Sequence, residues 1–172
     1  TLAPKLGVVF HDDKKSFVLA DIPGLISGAS SGAGLGHQFL KHIQRTKLLL
    51  HFVDFSAGQL NLEYPQSENR IIDSIEKNIL EIIHELQLFN SELVTKQRWL
   101  VFTKIDLVPI KIREERWKLL SKRLQSQPIF FVSSFSREGI DHLLESILEW
   151  MNCENKCVSK DFEDDVRFKN FN

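Results

Sequence analysis

Two short polar motifs each close an apolar run: Asp21-Ile22-Pro23-Gly24 follows residues 16–20, and Thr103-Lys104-Ile105-Asp106 ends residues 99–103. Short apolar runs bounded by turn formers read as buried strands. A chemically capable motif at the end of such a strand lies at the carboxyl edge of a sheet. Open α/β sheets bind their ligands at that edge. The pairing of the two motifs therefore restricts the chain to an α/β architecture with a site built from strand ends.

The rest of the pattern agrees. Residues 6–10 and 16–20 flank the polar stretch His11-Asp12-Asp13-Lys14-Lys15, which predicts a hairpin. From Gly24 to Gly36 the chain is rich in glycine, the residue with most backbone freedom to lose, so a mobile loop is expected. A helix follows over residues 36–45, with Phe39, Leu40 and Ile43 on its apolar side. Residues 48–54 are nearly all apolar, as in a strand buried on both faces. Ile71, Ile72, Ile75, Ile79, Ile82, Ile83 and Leu86 recur at helical spacing within residues 66–88. A strand at 99–103, a charged amphipathic helix at 112–124 and a strand at 129–132 come next. A final helix carries Ile140, Leu143, Leu144, Ile147, Leu148 and Met151, ending near Trp150. Alternating strands and helices give a mostly parallel sheet between helical layers, over residues 1–151. Residues 152–172 lose the apolar period and read as a frayed tail or linker.

Composition narrows the function classes. At 172 residues, 42% hydrophobic and 26% charged, the chain suits one globular domain. A formal net charge of −1 offers no general attraction to nucleic acid or anionic lipid. No apolar run is long enough to span a bilayer. Cys153 and Cys157 have the spacing of half a metal site, but no second pair follows, so reduced thiols and a cytoplasmic location are expected. The opening Thr1-Leu2-Ala3-Pro4 has neither an initiator Met nor a signal-peptide layout, which suggests a trimmed fragment.

The motifs supply the chemistry. Asp21 would hold Mg²⁺ through a water, and the Gly24 amide would approach a γ-phosphate. The Asp106 carboxylate offers two acceptors to the N1–H and 2-amino groups of guanine, a match that adenine lacks. The Lys104 stem can cover the base plane. Ser133-Ser134, after the strand at 129–132, can present a backbone amide to guanine O6. In this order the three elements read as a domain that binds GTP with Mg²⁺.

The run from Asp21 to Gly36, DIPGLISGASSGAGLG, followed by Phe39-Leu40-Lys41-His42, resembles the signature of the Obg (CgtA) family of GTPases. Residues 1–9 resemble that family's switch I, and residues 99–107 its base-recognition strand. The resemblance implies a three-layer P-loop NTPase-like G domain. Thr1 and Asp21 then become metal contacts, and Asp21, Ile22, Pro23 and Gly24 the switch II phosphate contacts. Thr103, Lys104 and Asp106 become the guanine loop, with Ser133 and Ser134 in the last base loop. It further implies hydrolysis of GTP to GDP and phosphate, in assembly of the large ribosomal subunit and in stress response.

Three departures stand out. Thr103 replaces the more usual Asn, and Ser27 stands where an acidic residue or Tyr is preferred. Leu25 occupies the place where Ras-like GTPases keep a water-orienting Gln, which implies slow hydrolysis helped by another group or a bound partner. The chain also holds no G-x-x-x-x-G-K-[ST] loop. By the resemblance that loop, with the first strand and first helix, would precede Thr1, and without it the fragment alone is expected to be inactive.

Other readings are weaker. The six histidines show no metal spacing, and His37 and His42 flank the expected 36–45 helix as packing or solvent residues. No G-x-S-x-G elbow supports a nucleophilic hydrolase. The basic cluster at 111–123, interrupted by Glu114 and Glu115, reads as a solvated helix face. Trp99 and Trp117 read as packing anchors, and no sequence-specific nucleic-acid contact is expected. The rival function is a degenerate, non-hydrolysing G module that binds ribosomes or proteins.

Overall fold

The computed structural model describes residues 5–12, 15–21, 46–57, 67–89, 91–124 and 127–164. The glycine-rich stretch and the helix expected at 36–45 lie outside them.

The first two strands, β1 (Leu6–Asp12) and β2 (Lys15–Ala20), form the expected antiparallel hairpin, with Val9 opposite Phe17 and Val8 opposite Val18. Both run slightly longer than their apolar cores, and a register shift falls between Phe10 and Asp12. Three further strands, β3 (Leu48–Asp54), β4 (Gln97–Thr103) and β5 (Ile129–Phe131), make a parallel sheet in the order β3-β4-β5. Among the described residues the hairpin and this sheet are separate sheets.

The sheet is covered on both faces, and the pleat decides which residues go where. Leu100 and Phe102 of β4 join Val53 and the isoleucines at 71, 72, 75 and 79 in one core cluster. Those isoleucines belong to helix α1 (Glu68–Phe89), and their helical spacing is what gives it a continuous apolar stripe. Trp99 and Val101, pointing the other way, join Phe130, Val132, Leu143, Ile147 and Leu148 in a second cluster. Phe17 of the hairpin is buried in that same cluster. Trp99 stacks on Phe130 at 5.0 Å and Trp117 meets Phe131 edge-on at 5.1 Å, so both indoles are packing anchors.

Several boundaries differ from the periodicity. A four-residue helix, α2 (Ser91–Val94), follows α1. The charged helix α3 spans Ile110–Leu120 rather than 112–124, because Pro109 fixes its start at φ −56°. Its face is not wholly solvated, since Arg116 is fully buried. The last helix, α4 (Ile140–Asp164), runs beyond Asn152, where a frayed tail was expected. Residues 152–164 contain neither Gly nor Pro, so nothing interrupts the backbone ladder once the apolar stripe ends. No helix among the described residues is long and apolar enough to cross a membrane.

Candidate functional site

The carboxyl ends of β3 and β4 are sewn together residue by residue. Asp54 lies opposite Thr103 in the ladder. The Phe55 amide donates to the Thr103 carbonyl at 3.0 Å, and the Thr103 hydroxyl donates to the Val53 carbonyl at 3.2 Å. The hydroxyl at position 103 thus binds the neighbouring strand. The next residue, Lys104, takes the left-handed conformation at φ 58° and caps a 3₁₀ turn over Ile105–Leu107 that carries Asp106. Its ammonium meets Asp54 Oδ2 at 2.6 Å.

Asp54 is itself held. Its Oδ1 accepts from the Ser56 amide at 2.9 Å and the Ser56 hydroxyl at 2.7 Å. Partial burial pulls its pKa upward, but the hydrogen bonds from Lys104 and Ser56 prevail and hold the carboxyl below its ordinary value. The same contact raises the Lys104 ammonium. Beneath the pair, buried Arg116 donates to the Phe55 carbonyl and to both Glu68 oxygens, at 2.9 and 3.1 Å.

The loop after β5 abuts this turn. The Ile105 amide points to the Val132 carbonyl at 3.5 Å, and the Val132 amide donates to the Phe102 carbonyl at 2.8 Å. Ser133 is fully buried and structurally committed. Its amide donates to the Glu138 carbonyl at 2.9 Å, and its hydroxyl accepts from the Ser136 amide at 3.0 Å. Ser134 and Phe135 beside it are exposed. Arg113 clamps this loop to the start of α3, donating to the Val108 carbonyl at 2.7 Å and to the Glu138 carboxylate at 3.0 and 3.2 Å. Gly139, at φ 73°, completes the loop where only glycine fits: a Cβ there would lie 2.0 Å from the Phe131 carbonyl oxygen.

Of the residues singled out in the sequence, Thr103, Lys104, Asp106, Ser133 and Ser134 come from the adjoining ends of β4 and β5. Asp21 closes β2, its amide donating to the Lys5 carbonyl at 2.9 Å. Thr1, Ile22, Pro23, Gly24 and Leu25 lie outside the described residues. Among the described residues no three His, Cys, Asp or Glu side chains gather as a metal cage.

Sequence reasoning missed Asp54, Ser56 and Arg116. Asp54 carried a readable signal, since it ends an apolar strand just as Asp21 follows one. Arg116 carried none.

A family model described as 50S ribosome-binding GTPase matches residues 1–104, which is 104 of the 172 residues. The chain belongs to this family. The match takes in the hairpin, β3, α1 and β4 and stops at Lys104 of this ribosome-binding GTPase relative. Asp106 and the loop after β5 lie past its end, so for them the family assignment adds nothing to the geometry.

Proposed function

We propose that the chain is the guanine-nucleotide-binding part of an Obg-type GTPase, binding GTP with Mg²⁺ and hydrolysing it to GDP and phosphate in the service of large-subunit assembly and stress response. Membership in the 50S ribosome-binding GTPase family supports nucleotide and ribosome as partners. The single observation carrying the base assignment is the 3₁₀ turn at the end of β4. It sets Asp106 two residues after a left-handed Lys104, and its Ile105 amide adjoins the β5 loop. Asp106 is then the acceptor for guanine N1–H and the 2-amino group. The donor to guanine O6 is the exposed Ser134, because the Ser133 amide serves Glu138. The two separate sheets suit a G domain in which a further strand lies between β2 and β3.

Thr1 and Asp21 would stand beside the metal, and Gly24 beside the γ-phosphate. Mg²⁺, when bound, neutralises charge on the phosphate oxygens. With Leu25 in place of a water-orienting Gln, turnover would be slow until another group or partner places the water.

Asp106→Asn tests the reading in the full-length protein. The new amide meets the guanine 2-amino group donor to donor, whereas xanthine offers an oxygen there. GTP binding should weaken at least ~10-fold, the equivalent of about 1.4 kcal/mol, with a gain for xanthosine triphosphate. Competition binding of the two nucleotides decides it. An unchanged preference for GTP would remove Asp106 from base recognition, and with it the guanine assignment.

A further inference from the structure

Lys104 is exposed and flexible by type, so the sequence leaves its side-chain direction open. The backbone and its neighbours close that choice. Its backbone is left-handed, at φ 58° and ψ 34°, where the chain turns out of β4. Its ammonium lies 2.6 Å from Asp54 Oδ2. The Asp54 carboxylate cannot follow a wandering lysine, because Ser56 grips Oδ1 twice, at 2.9 and 2.7 Å. The next residue, Phe55, is wholly buried, with its carbonyl held by Arg116. Since Asp54 stands opposite Thr103, the lysine stem is drawn across the ends of two adjacent strands.

We infer that Asp54, set by Ser56, is a positioning residue for nucleotide recognition: it pins the Lys104 ammonium so that the aliphatic stem forms a fixed platform for the face of the base. The inference rests on the guanine-loop reading above. An ordinary exposed lysine must surrender rotamer freedom when a ligand settles on it. Here that ordering is made in advance by a carboxylate with three donors on it. Asp54 touches no part of the nucleotide and acts only through Lys104. The polar tip remains at β3, and the methylene stem is what the base meets.

Asp54→Asn is the suitable variant, since its side-chain oxygen can still accept from Ser56 while the charge facing Lys104 is lost. GDP binding to the full-length protein is measured for the wild type, Asp54→Asn, Lys104→Met and the double variant, with thermal unfolding as the check on folding. Asp54→Asn should weaken GDP about fivefold, the upper range for an exposed ion pair. In the Lys104→Met background the same change should have no effect, because there is no ammonium to pin. Ser56→Ala, which loosens Asp54 without touching its charge, should give a smaller loss that also vanishes in that background. An equal loss with and without the Lys104 ammonium would mean that Asp54 merely supports the fold. No loss with Lys104 present would overturn the inference outright. Failure of the base reading shows separately, as an Asp106→Asn protein that still prefers GDP to xanthosine diphosphate.

Discussion

Arg116 and Glu68, forty-eight residues apart, form a two-pronged ion pair at 2.9 and 3.1 Å beneath the end of β3. The guanidinium is fully buried, whereas the carboxylate keeps partial contact with solvent. Arg116 also lies 5.4 Å above the Phe55 ring and donates to the Phe55 carbonyl. One side chain of α3 therefore fixes the first turn of α1 and the segment that carries Asp54.

Removing the carboxylate of that pair should be costly. Glu68→Ala removes the two-pronged acceptor of a fully buried guanidinium, and breaking a buried ion pair in this way typically costs about 3 kcal/mol. Denaturant unfolding measures this directly. Replacing both residues, Arg116→Met with Glu68→Leu, should recover most of the stability, because the buried charge is removed together with its carboxylate partner. A double variant as unstable as Glu68→Ala would show that the Arg116 contacts to Phe55, rather than the ion pair, dominate.

Gly139→Ala should destabilise the loop after β5. The added Cβ would lie 2.0 Å from a backbone oxygen of β5, and φ 73° already disfavours any side chain. Conformational strain of this kind costs about 1–3 kcal/mol before the clash is counted. Gly139→Asn should fare no better, although Asn tolerates left-handed backbone, since the clash is with Cβ itself. Calorimetric melting of both variants checks this, and a mild Asn variant would place the strain in the backbone alone.

His51 gives the protein an acid-sensitive window. Burial, aided by nearby Arg98, lowers its pKa from 6.5 to about 4, and neither ring nitrogen has a hydrogen-bond partner among the described residues. Above pH 6.5 both folded and unfolded forms are neutral there. Between 6.5 and 4 the unfolded chain takes up a proton that the folded one refuses, so stability falls by roughly 3 kcal/mol across that window. His51→Leu should flatten the slope there, as read from unfolding free energies at several pH values. Asp54 acts lower. Its depressed value makes its contribution present above the ordinary carboxylate value and lost as pH falls through the folded one. A slope between pH 6.5 and 4 that survives His51→Leu would assign it to another group.

Hydrogen exchange should separate the strands. β4 is paired on both sides, to β3 and to β5, whereas β3 is paired to β4 alone among the described residues. In the 172-residue chain by itself, amides of β4 should be the slowest, and β3 should exchange faster despite its apolar sequence. Equal protection in the two strands would mean that the outer edge of β3 is also covered.

Much of the fold was legible because it depends on neighbours in sequence. An apolar run of strand length and a stripe of isoleucines at helical spacing declare their elements locally, and Leu48–Asp54 matches its expected bounds. The left-handed turn at Lys104, by contrast, was not announced by its sequence, since the conformation depends on how β4 ends against its neighbours. The continuation of α4 to Asp164 was not announced either, because burial supplies the periodic signal and a helix can run past its buried part.

The sequence by itself determined the hairpin, the three parallel strands and the long helices that cover them among the described residues. Only the tertiary structure decided that Lys104 meets Asp54, that Arg116 lies buried against Glu68, and that Ser133 is committed to Glu138 while Ser134 is exposed. The physical reason is the range of the forces. Backbone propensity and amphipathic period act within a few residues, whereas an ion pair between positions fifty residues apart exists only after the sheet has aligned β3 with β4.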